Sequence, residues 1–364
     1  MEFFINDKLI GDNHPLFFIA EAGVNHNGSI DLGKQLVDIA VEAGADAVKF
    51  QTFKTENIIT PGAPKSTYHV ETTGDDNNQT WYELLKTQEM SRIMHVDLIE
   101  YCNTKGIIFL STPYDEESVD LLGELDVPAF KIASTDTNNI PLLRYIAHKG
   151  RPMIISTAMA NMEEVDAAVA AIRAEGLKDI AVLQCTGNYP ARLSDSNLRV
   201  MQTYREKLHC IVGYSDHTPD LINPVAATAL GAKIYEKHFT IDKSLPGPDH
   251  RMSLDQNEIK DTIFAIRNTE ESLGNLEKRV LPSEEENRRI LRKSLVASQD
   301  IYKGSSISRN MIAIKRPGTG FPPSYLESII GKKAKMDIIK EANQLVKSQI
   351  LQQHLKFLNC LVKF

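Results

Sequence analysis

Two histidines stand just beyond short apolar runs, His217 in IVGYSDHT and His238 in KIYEKHFT. Imidazole nitrogens on neighbouring strand ends can share a divalent cation, and nitrogen donors suit Mn, Zn or Fe. With only two protein donors in view, water and substrate would fill the other positions, an arrangement fitted to Lewis-acid chemistry. Lys49 and Lys131 lie in two further runs, AVKFQTF and AFKIAS. Together with the hydroxyls of Thr112, Ser134, Ser156 and Ser215 they suit a phosphate or carboxylate. Either lysine could instead form a Schiff base, or simply pair with a carboxylate. Glu21 in EAGVNHNG and Asp249 in PGPDHRMS are candidates for a general base or for orienting a bound water. Arg316 sits in the stiff turn RPGTG, where a planar guanidinium could clamp an anion. The set points to an anionic, oxygen-rich substrate.

What must position these groups is a series of eight apolar runs: FFIAEAG (17–23), AVKFQTF (47–53), IIFLSTP (107–113), AFKIAS (129–134), PMIISTA (152–158), IAVLQCT (180–186), IVGYSD (211–216) and KIYEKHFT (233–240). Near-continuous Val, Ile, Leu and Phe suit strands buried on both faces, as in a parallel sheet. Helical spacing fills most of the intervals, as in IDLGKQLVDIAVEAGA (30–45) and MEEVDAAVAAIRAEG (162–176). The pattern predicts an α/β fold, a (β/α)8 TIM barrel, in which the strand ends share one rim. Along that rim come Glu21, Lys49 with Gln51, Thr112, Lys131 with Ser134, Ser156, Thr186, Ser215 with His217, and Glu236 with His238. Residues 1–14 read as a hairpin or cap, and the long polar stretch 54–90 as a lid or binding loop.

The 364 residues allow one barrel and a small second domain. Expected boundaries are a barrel over 1–274, a charged linker helix over 275–290, a compact β domain over 291–350 and a tail over 351–364. A formal charge of −7 argues against nucleic acid as a general partner. No apolar run approaches the ~18 residues of a membrane span, and Asp7 and Lys8 interrupt the start of the chain where a leader would be apolar. Four scattered cysteines without a C-x-x-C pair fit free thiols in a cytoplasmic protein.

Taken in order, IAEAGVNHNGSIDLGKQLVDIAVEAGADAVKFQTF, FLSTPYDEESVDLL, FKIASTDTNNIPLL, PMIISTAMAN, QCTGNYP, VGYSDHT, GAKIYEKHFTIDK and GPDHRMSL resemble the sialic acid synthase family. RKSLVASQDIYKG, KRPGTGFPP and IIGKKA are similar to its C-terminal antifreeze-like (SAF) domain, a β-clip. The resemblance implies condensation of phosphoenolpyruvate with an N-acetylated mannosamine-type sugar and water, with C–O cleavage, to a nonulosonic acid and phosphate. The acceptor would be N-acetylmannosamine or, alternatively, the 2,4-diacetamido-2,4,6-trideoxymannose of N,N'-diacetyllegionaminate synthases.

The resemblance also implies roles. His217 and His238 would hold a divalent metal, Mn2+ first, with Mg2+ or Co2+ as alternatives. Lys49, Thr112, Lys131, Ser134, Ser156 and Ser215 would grip phosphoenolpyruvate, and Glu21 and Asp249 would manage the water and its protons. Gln51, Asp136 and Tyr189 would contact the sugar, with Arg316 reaching in from the partner of a domain-swapped homodimer. Asp136 stands where some members carry glutamate, and Gly187 where some carry asparagine, which leaves the acceptor open between the two sugars. A Schiff-base pyruvate aldolase and a non-catalytic carbohydrate-binding or coat-assembly protein are the rival readings.

Overall fold

The computed structural model describes residues 1–341 apart from Asp76 and Asn78. The chain divides into two compact units, Met1–Gly274 and a second that begins at Asn275. In the first unit the eight predicted runs fold as strands β1 (Phe17–Gly23), β2 (Ala47–Thr52), β3 (Ile108–Pro113), β4 (Phe130–Ile132), β5 (Met153–Ser156), β6 (Ile180–Cys185), β7 (Ile211–Asp216) and β8 (Ile234–His238). They form one parallel sheet in the order β3-β2-β1-β8-β7-β6-β5-β4, and the end strands β3 and β4 lie side by side at the seam. This is the expected (β/α)8 barrel.

Eight helices follow the strands: α1 (Ile30–Ala43), α2 (Arg92–Lys105), α3 (Glu116–Glu124), α4 (Ile140–Ala147), α5 (Met162–Ala174), α6 (Val200–Leu208), α7 (Ile222–Ala229) and α8 (Gln256–Leu273). Local chemistry sets their ends. The Ser29 hydroxyl accepts from the Leu32 N–H to open α1, and Gly44, at φ 83°, closes it in a left-handed conformation costly for other residues. Reciprocal capping boxes, Asn161 with Glu164 and Asp255 with Glu258, open α5 and α8. Helix α6 escapes the sequence reading, because Arg199 at its N-cap makes no side-chain capping hydrogen bond.

Side chains alternate along each strand, and this alternation builds the site. Phe18, Ala20, Val48, Phe50, Ile155 and Val182 face outward into the helix layer and join its core. Phe17, Ile19, Ala47, Ile108, Leu110, Ala129, Ile154, Leu183, Ile211 and Ile234 fill the barrel floor. An antiparallel hairpin, Glu2–Ile5 paired with Lys8–Gly11, adds Phe3, Ile5 and Ile10 to that floor. Further along seven of the eight strands, the same inward stripe turns polar: Glu21, Lys49, Thr112, Lys131, Ser156, Ser215 and Glu236.

The stretch 54–90 is more ordered than a plain polar loop. It holds three short helices, Thr55–Ile58, Thr67–Thr73 and Trp81–Gln88, and rests on an apolar cluster of Val24, Phe53 and Leu85. Gly28 is tied to this packing, since a Cβ there would lie 2.6 Å from the Thr87 carbonyl. No helix among the described residues is long and apolar enough to cross a membrane.

In the second unit the charged stretch is helical only from Pro282, as a 3-10 turn (Pro282–Glu284) and a helix (Glu285–Leu291). Strands β9 (Ser294–Ala297) and β10 (Ile312–Lys315) pair antiparallel over a core that includes Leu295, Ile301, Ile307, Ile312 and Phe321. The tail assigned to 351–364, the last nine residues of the 291–350 stretch and Cys360 lie outside the described residues.

Candidate active site

At the centre of the barrel, Glu236 on β8 stands between the two lysines. Its Oε2 lies 3.7 Å from Lys49 Nζ, and its Oε1 lies 3.4 Å from Lys131 Nζ and accepts from Ser215 Oγ at 3.0 Å. Lys49 Nζ also lies 2.7 Å from Glu21 Oε2 and donates to Thr112 Oγ1 at 2.8 Å. Lys131 Nζ donates to Ser156 Oγ at 2.7 Å and to the Ile132 carbonyl at 3.0 Å. Gln51 Nε2 donates to Glu21 Oε1 at 3.2 Å. Seven strands thus supply one network of two cations, two carboxylates, three hydroxyls and an amide.

The balance of charges follows from burial. Desolvation pushes Glu21 up to about 7, with Lys49 opposing and Glu236 reinforcing the rise. Burial works against ionising Glu236 as well, but Lys131 and Lys49 outweigh it and hold its carboxyl below the usual range. For Lys49, burial disfavours the ammonium, yet Glu21 and Glu236 prevail and raise it. Lys131 is lowered, because burial and Lys49 outweigh its attraction to Glu236.

Above this network lie the histidines, with ring centroids 5.6 Å apart. His217 Nδ1 meets the Thr186 carbonyl at 2.7 Å, which orients the ring and leaves Nε2 for a ligand. His238 Nδ1 is buried without a hydrogen-bond partner. Burial and the neighbouring charges of His217, Lys49, Lys237 and Lys131 keep His238 neutral, well below the usual imidazole range. Burial opposes protonation of His217, but the Cys185 thiol at 3.8 Å and the Thr186 carbonyl raise it.

Two imidazoles, one with an orphaned nitrogen, fit a divalent cation. Among the described residues no group of three or more His, Cys, Asp or Glu is arranged to hold one. The protein would therefore supply two nitrogen donors and leave the remaining positions to water and substrate. The outward neighbours of these residues clamp the strand ends. Lys237 Nζ lies 2.6 Å from Asp216 Oδ2, which also accepts from Tyr235 Oη at 2.6 Å, while Thr218 donates to Oδ1.

The remaining predicted residues ring the mouth. Ser134 Oγ accepts from the Ala158 N–H at 2.9 Å and so ties together the loops after β4 and β5. The Asp136 carboxylate accepts from Asn139 Nδ2 at 3.0 Å, and burial raises it. The Tyr189 ring lies 4.2 Å from that of His217, tilted by 35°. Burial pushes Asp249 up to about 6 against the pull of His217 and Lys49. Thr186, read as a rim hydroxyl, turns aside to donate to the Asp195 carbonyl at 2.8 Å.

Arg316 belongs to the second unit. It is exposed in a turn braced by the Gly318 N–H donating to the Arg289 carbonyl at 2.9 Å. Two residues acquire importance only here. Glu236 had no assigned role, although its place two residues before His238 on an inward stripe is a legible signal. Partly buried Tyr114, whose hydroxyl is held in its protonated form by desolvation and by the charges of Glu21 and Asp136, carried none.

A parallel barrel whose strand ends gather paired lysines and carboxylates beneath two histidines defines an enzyme built around an anionic substrate. The chain belongs to the NeuB family, whose model matches residues 36–278, and an SAF domain matches residues 292–342. The N,N'-diacetyllegionaminic acid synthase of Legionella pneumophila is 42% identical, over 90% of this chain and 93% of that protein. The mouse N-acetylneuraminate-9-phosphate synthase is 36% identical, over 96% of each. Among solved structures, the N-acetylneuraminic acid (sialic acid) synthetase of Leptospira borgpetersenii, in complex with citrate, superposes with a TM-score of 0.69 at 32% identity, covering 79% of this chain and 95% of that one. The chain is an enzyme of this synthase type.

Proposed function

We propose that the protein condenses phosphoenolpyruvate with an N-acetylated mannosamine-type sugar and water, releasing phosphate and a nonulosonic acid. The observation that carries this reading is the buried Lys49–Glu236–Lys131 arrangement beneath the histidine pair. Two ammonium groups with Thr112, Ser156 and Ser215 offer enough donors for the phosphate and carboxylate of phosphoenolpyruvate. In the reaction, C3 of the enol forms a bond to the sugar aldehyde carbon, and positive charge develops at C2. Ionised Glu236 is placed to stabilise that charge. Water then adds at C2, its proton passing to Glu21 or Asp249, whose raised pKa values suit proton transfer near neutral pH. Collapse of the tetrahedral intermediate breaks the C2–O bond and expels phosphate.

A divalent metal, Mn2+ in first place, would be held by His217 and His238 and would polarise the aldehyde oxygen. Gln51, Asp136 and Tyr189 would face the sugar. Arg316 would complete the site from the second unit of a partner in a domain-swapped homodimer. Buried, unpaired Cys102, Cys185 and Cys210 support a cytoplasmic location.

For the acceptor, N-acetylmannosamine is the primary reading. The 2,4-diacetamido-2,4,6-trideoxy sugar is the second, favoured by the higher identity to the legionaminic relative. Phosphate release from phosphoenolpyruvate with Mn2+, against both sugars and N-acetylmannosamine 6-phosphate, tests the reading, with products identified by mass. Turnover of one sugar is expected. Silence with all three by a folded, metal-loaded protein would shift the reading to carbohydrate binding. A borohydride-trapped lysine adduct with pyruvate would point to the aldolase.

A further inference from the structure

The connection between β2 and α2 forms a wall beside the histidine pair. Its helix Thr67–Thr73 brings the Tyr68 ring to 6.0 Å from Tyr189, at 31°, and the Tyr189 ring in turn lies 4.2 Å from His217, at 35°. Tyr68, Tyr189 and His217 make a continuous run of rings leading outward from the reacting centre. Several contacts hold Tyr68 in place. The buried Lys65 ammonium donates to the Gly74 and Gln79 carbonyls at 2.9 and 2.7 Å, and His69 stacks on Trp81 at 4.2 Å.

Tyr68 and Tyr189 both line a cavity of ≈ 210 Å³, with Pro190, Pro219 and Ser253 also in its walls. That space equals roughly seven waters' share of liquid volume, enough for a small branched substituent. The Tyr68 hydroxyl is buried beside the Met252 backbone and makes no hydrogen bond of good geometry. Its charged lining residues are Glu71 and Arg251, both exposed, and Lys243, which is paired with Glu258; Asp249 and Arg251 act in opposite senses on the Tyr68 hydroxyl. A phosphate dianion would have to shed water against tyrosine and proline faces, with Glu71 offsetting Arg251 and with Lys243 already held by Glu258. A sugar end carrying a methyl and an amide would instead stack on the rings.

We propose that Tyr68 is a specificity residue that, with Tyr189, clamps the end of the acceptor sugar remote from its aldehyde. The cavity behind it takes a neutral acetamido- and methyl-bearing end in preference to a phosphorylated one. This rests on the nonulosonic acid synthase reading and narrows it toward the 2,4-diacetamido-2,4,6-trideoxy acceptor.

The test compares wild type, Tyr68→Ala and Tyr68→Phe by steady-state kinetics with each of the three sugars, and by calorimetric binding of the same sugars. Emission from Trp81, the one tryptophan of the chain, reports whether the loop keeps its fold. If Tyr68→Ala disturbs that emission, Tyr68→Leu replaces it in the comparison. The expected result for the alanine variant is an acceptor KM about tenfold higher for the diacetamido sugar, a smaller rise for N-acetylmannosamine, and a phosphoenolpyruvate KM within about twofold of wild type. Tyr68→Phe, which keeps the ring, should stay within about threefold. An unchanged acceptor KM, an equal rise for all three sugars, or a matching rise for phosphoenolpyruvate would overturn the proposal. If wild type turns over none of the sugars, the synthase reading fails and calorimetry decides about Tyr68. Tyr68-dependent binding of the diacetamido sugar would sustain the clamp, and its absence would end it.

Discussion

Glu236 touches both lysines of the barrel centre and accepts from Ser215, so its charge keeps two buried ammonium groups in one cavity. Glu236→Gln leaves those cations facing each other, and the loss in stability should be about 3 kcal/mol. Loss of the charge facing C2 should also lower kcat/KM by about a hundredfold. Thermal melts and kinetics on the same variant separate the two effects. Glu21 offers a pH test in the metal-free protein. Its folded pKa of about 7 lies above the ordinary 4.5, so the native state binds the proton more tightly. Its contribution to stability is therefore full below pH ~4.5 and is lost as pH rises through ~7. Relative to wild type, Glu21→Gln should gain in Tm across that window; a constant difference would show that Glu21 ionises normally. His217→Ala should abolish Mn2+ binding by calorimetry with little change in Tm. Because the His217 proton must leave first, Mn2+ binding to wild type should release protons and tighten as pH rises.

Elements carry these residues to their places, and two of them invite direct tests. The N-terminal hairpin plugs the floor of the barrel, where Ile5 is fully buried among Phe17, Ile19 and Ile234. Ile5→Ala should cost about 2–4 kcal/mol in denaturant melts while leaving both KM values unchanged, since the floor lies at the opposite end from the strand tips. In the 54–90 connection, Lys65→Met leaves the Gly74 and Gln79 carbonyls without their ammonium donor. Limited proteolysis should then cut between residues 62 and 80 faster, with barrel unfolding unaltered; unchanged cleavage would mean that the apolar cluster alone holds the loop. The polarity of 54–90 made a long connection legible. Its helices were not, because Ser66 and Thr80 look like loop residues until their hydroxyls are seen accepting from the His69 and Glu83 N–H groups.

At the scale of the whole molecule, the role proposed for Arg316 of a partner's second unit has its own test. If Arg316 acts across a domain-swapped dimer, His217→Ala and Arg316→Ala proteins should each be inactive alone. Mixed under conditions that allow subunit exchange, they should regain about a quarter of wild-type activity, because each heterodimer then holds one intact site. Continued inactivity of demonstrably mixed dimers would place Arg316 in its own subunit's site or outside the chemistry. The bracing of its turn against the Glu285–Leu291 helix argues that the guanidinium is held out from a rigid base. A Cβ at Gly318 would meet Arg292 Cβ at 2.8 Å.

What the chain determines by itself is local: where apolar runs become buried strands, which polar residue ends each run, and where helices stop at residues such as Gly44. Those features follow from side-chain period and backbone preference, which need only a few neighbours along the chain. Eight strands, their order along the chain and most of the polar rim were legible for that reason. Which side chains meet was decided by closure of the sheet. Register on parallel strands sets Glu236 beside Ser215 and His238 beside Glu21, although β1 and β8 lie at opposite ends of the barrel sequence. The Glu236 bridge, the outward Asp216–Lys237 clamp and the shift of Glu21 to about 7 all depend on burial and on partners distant in sequence. Electrostatic energy depends on distance and desolvation in space, and neither is defined until the barrel has closed.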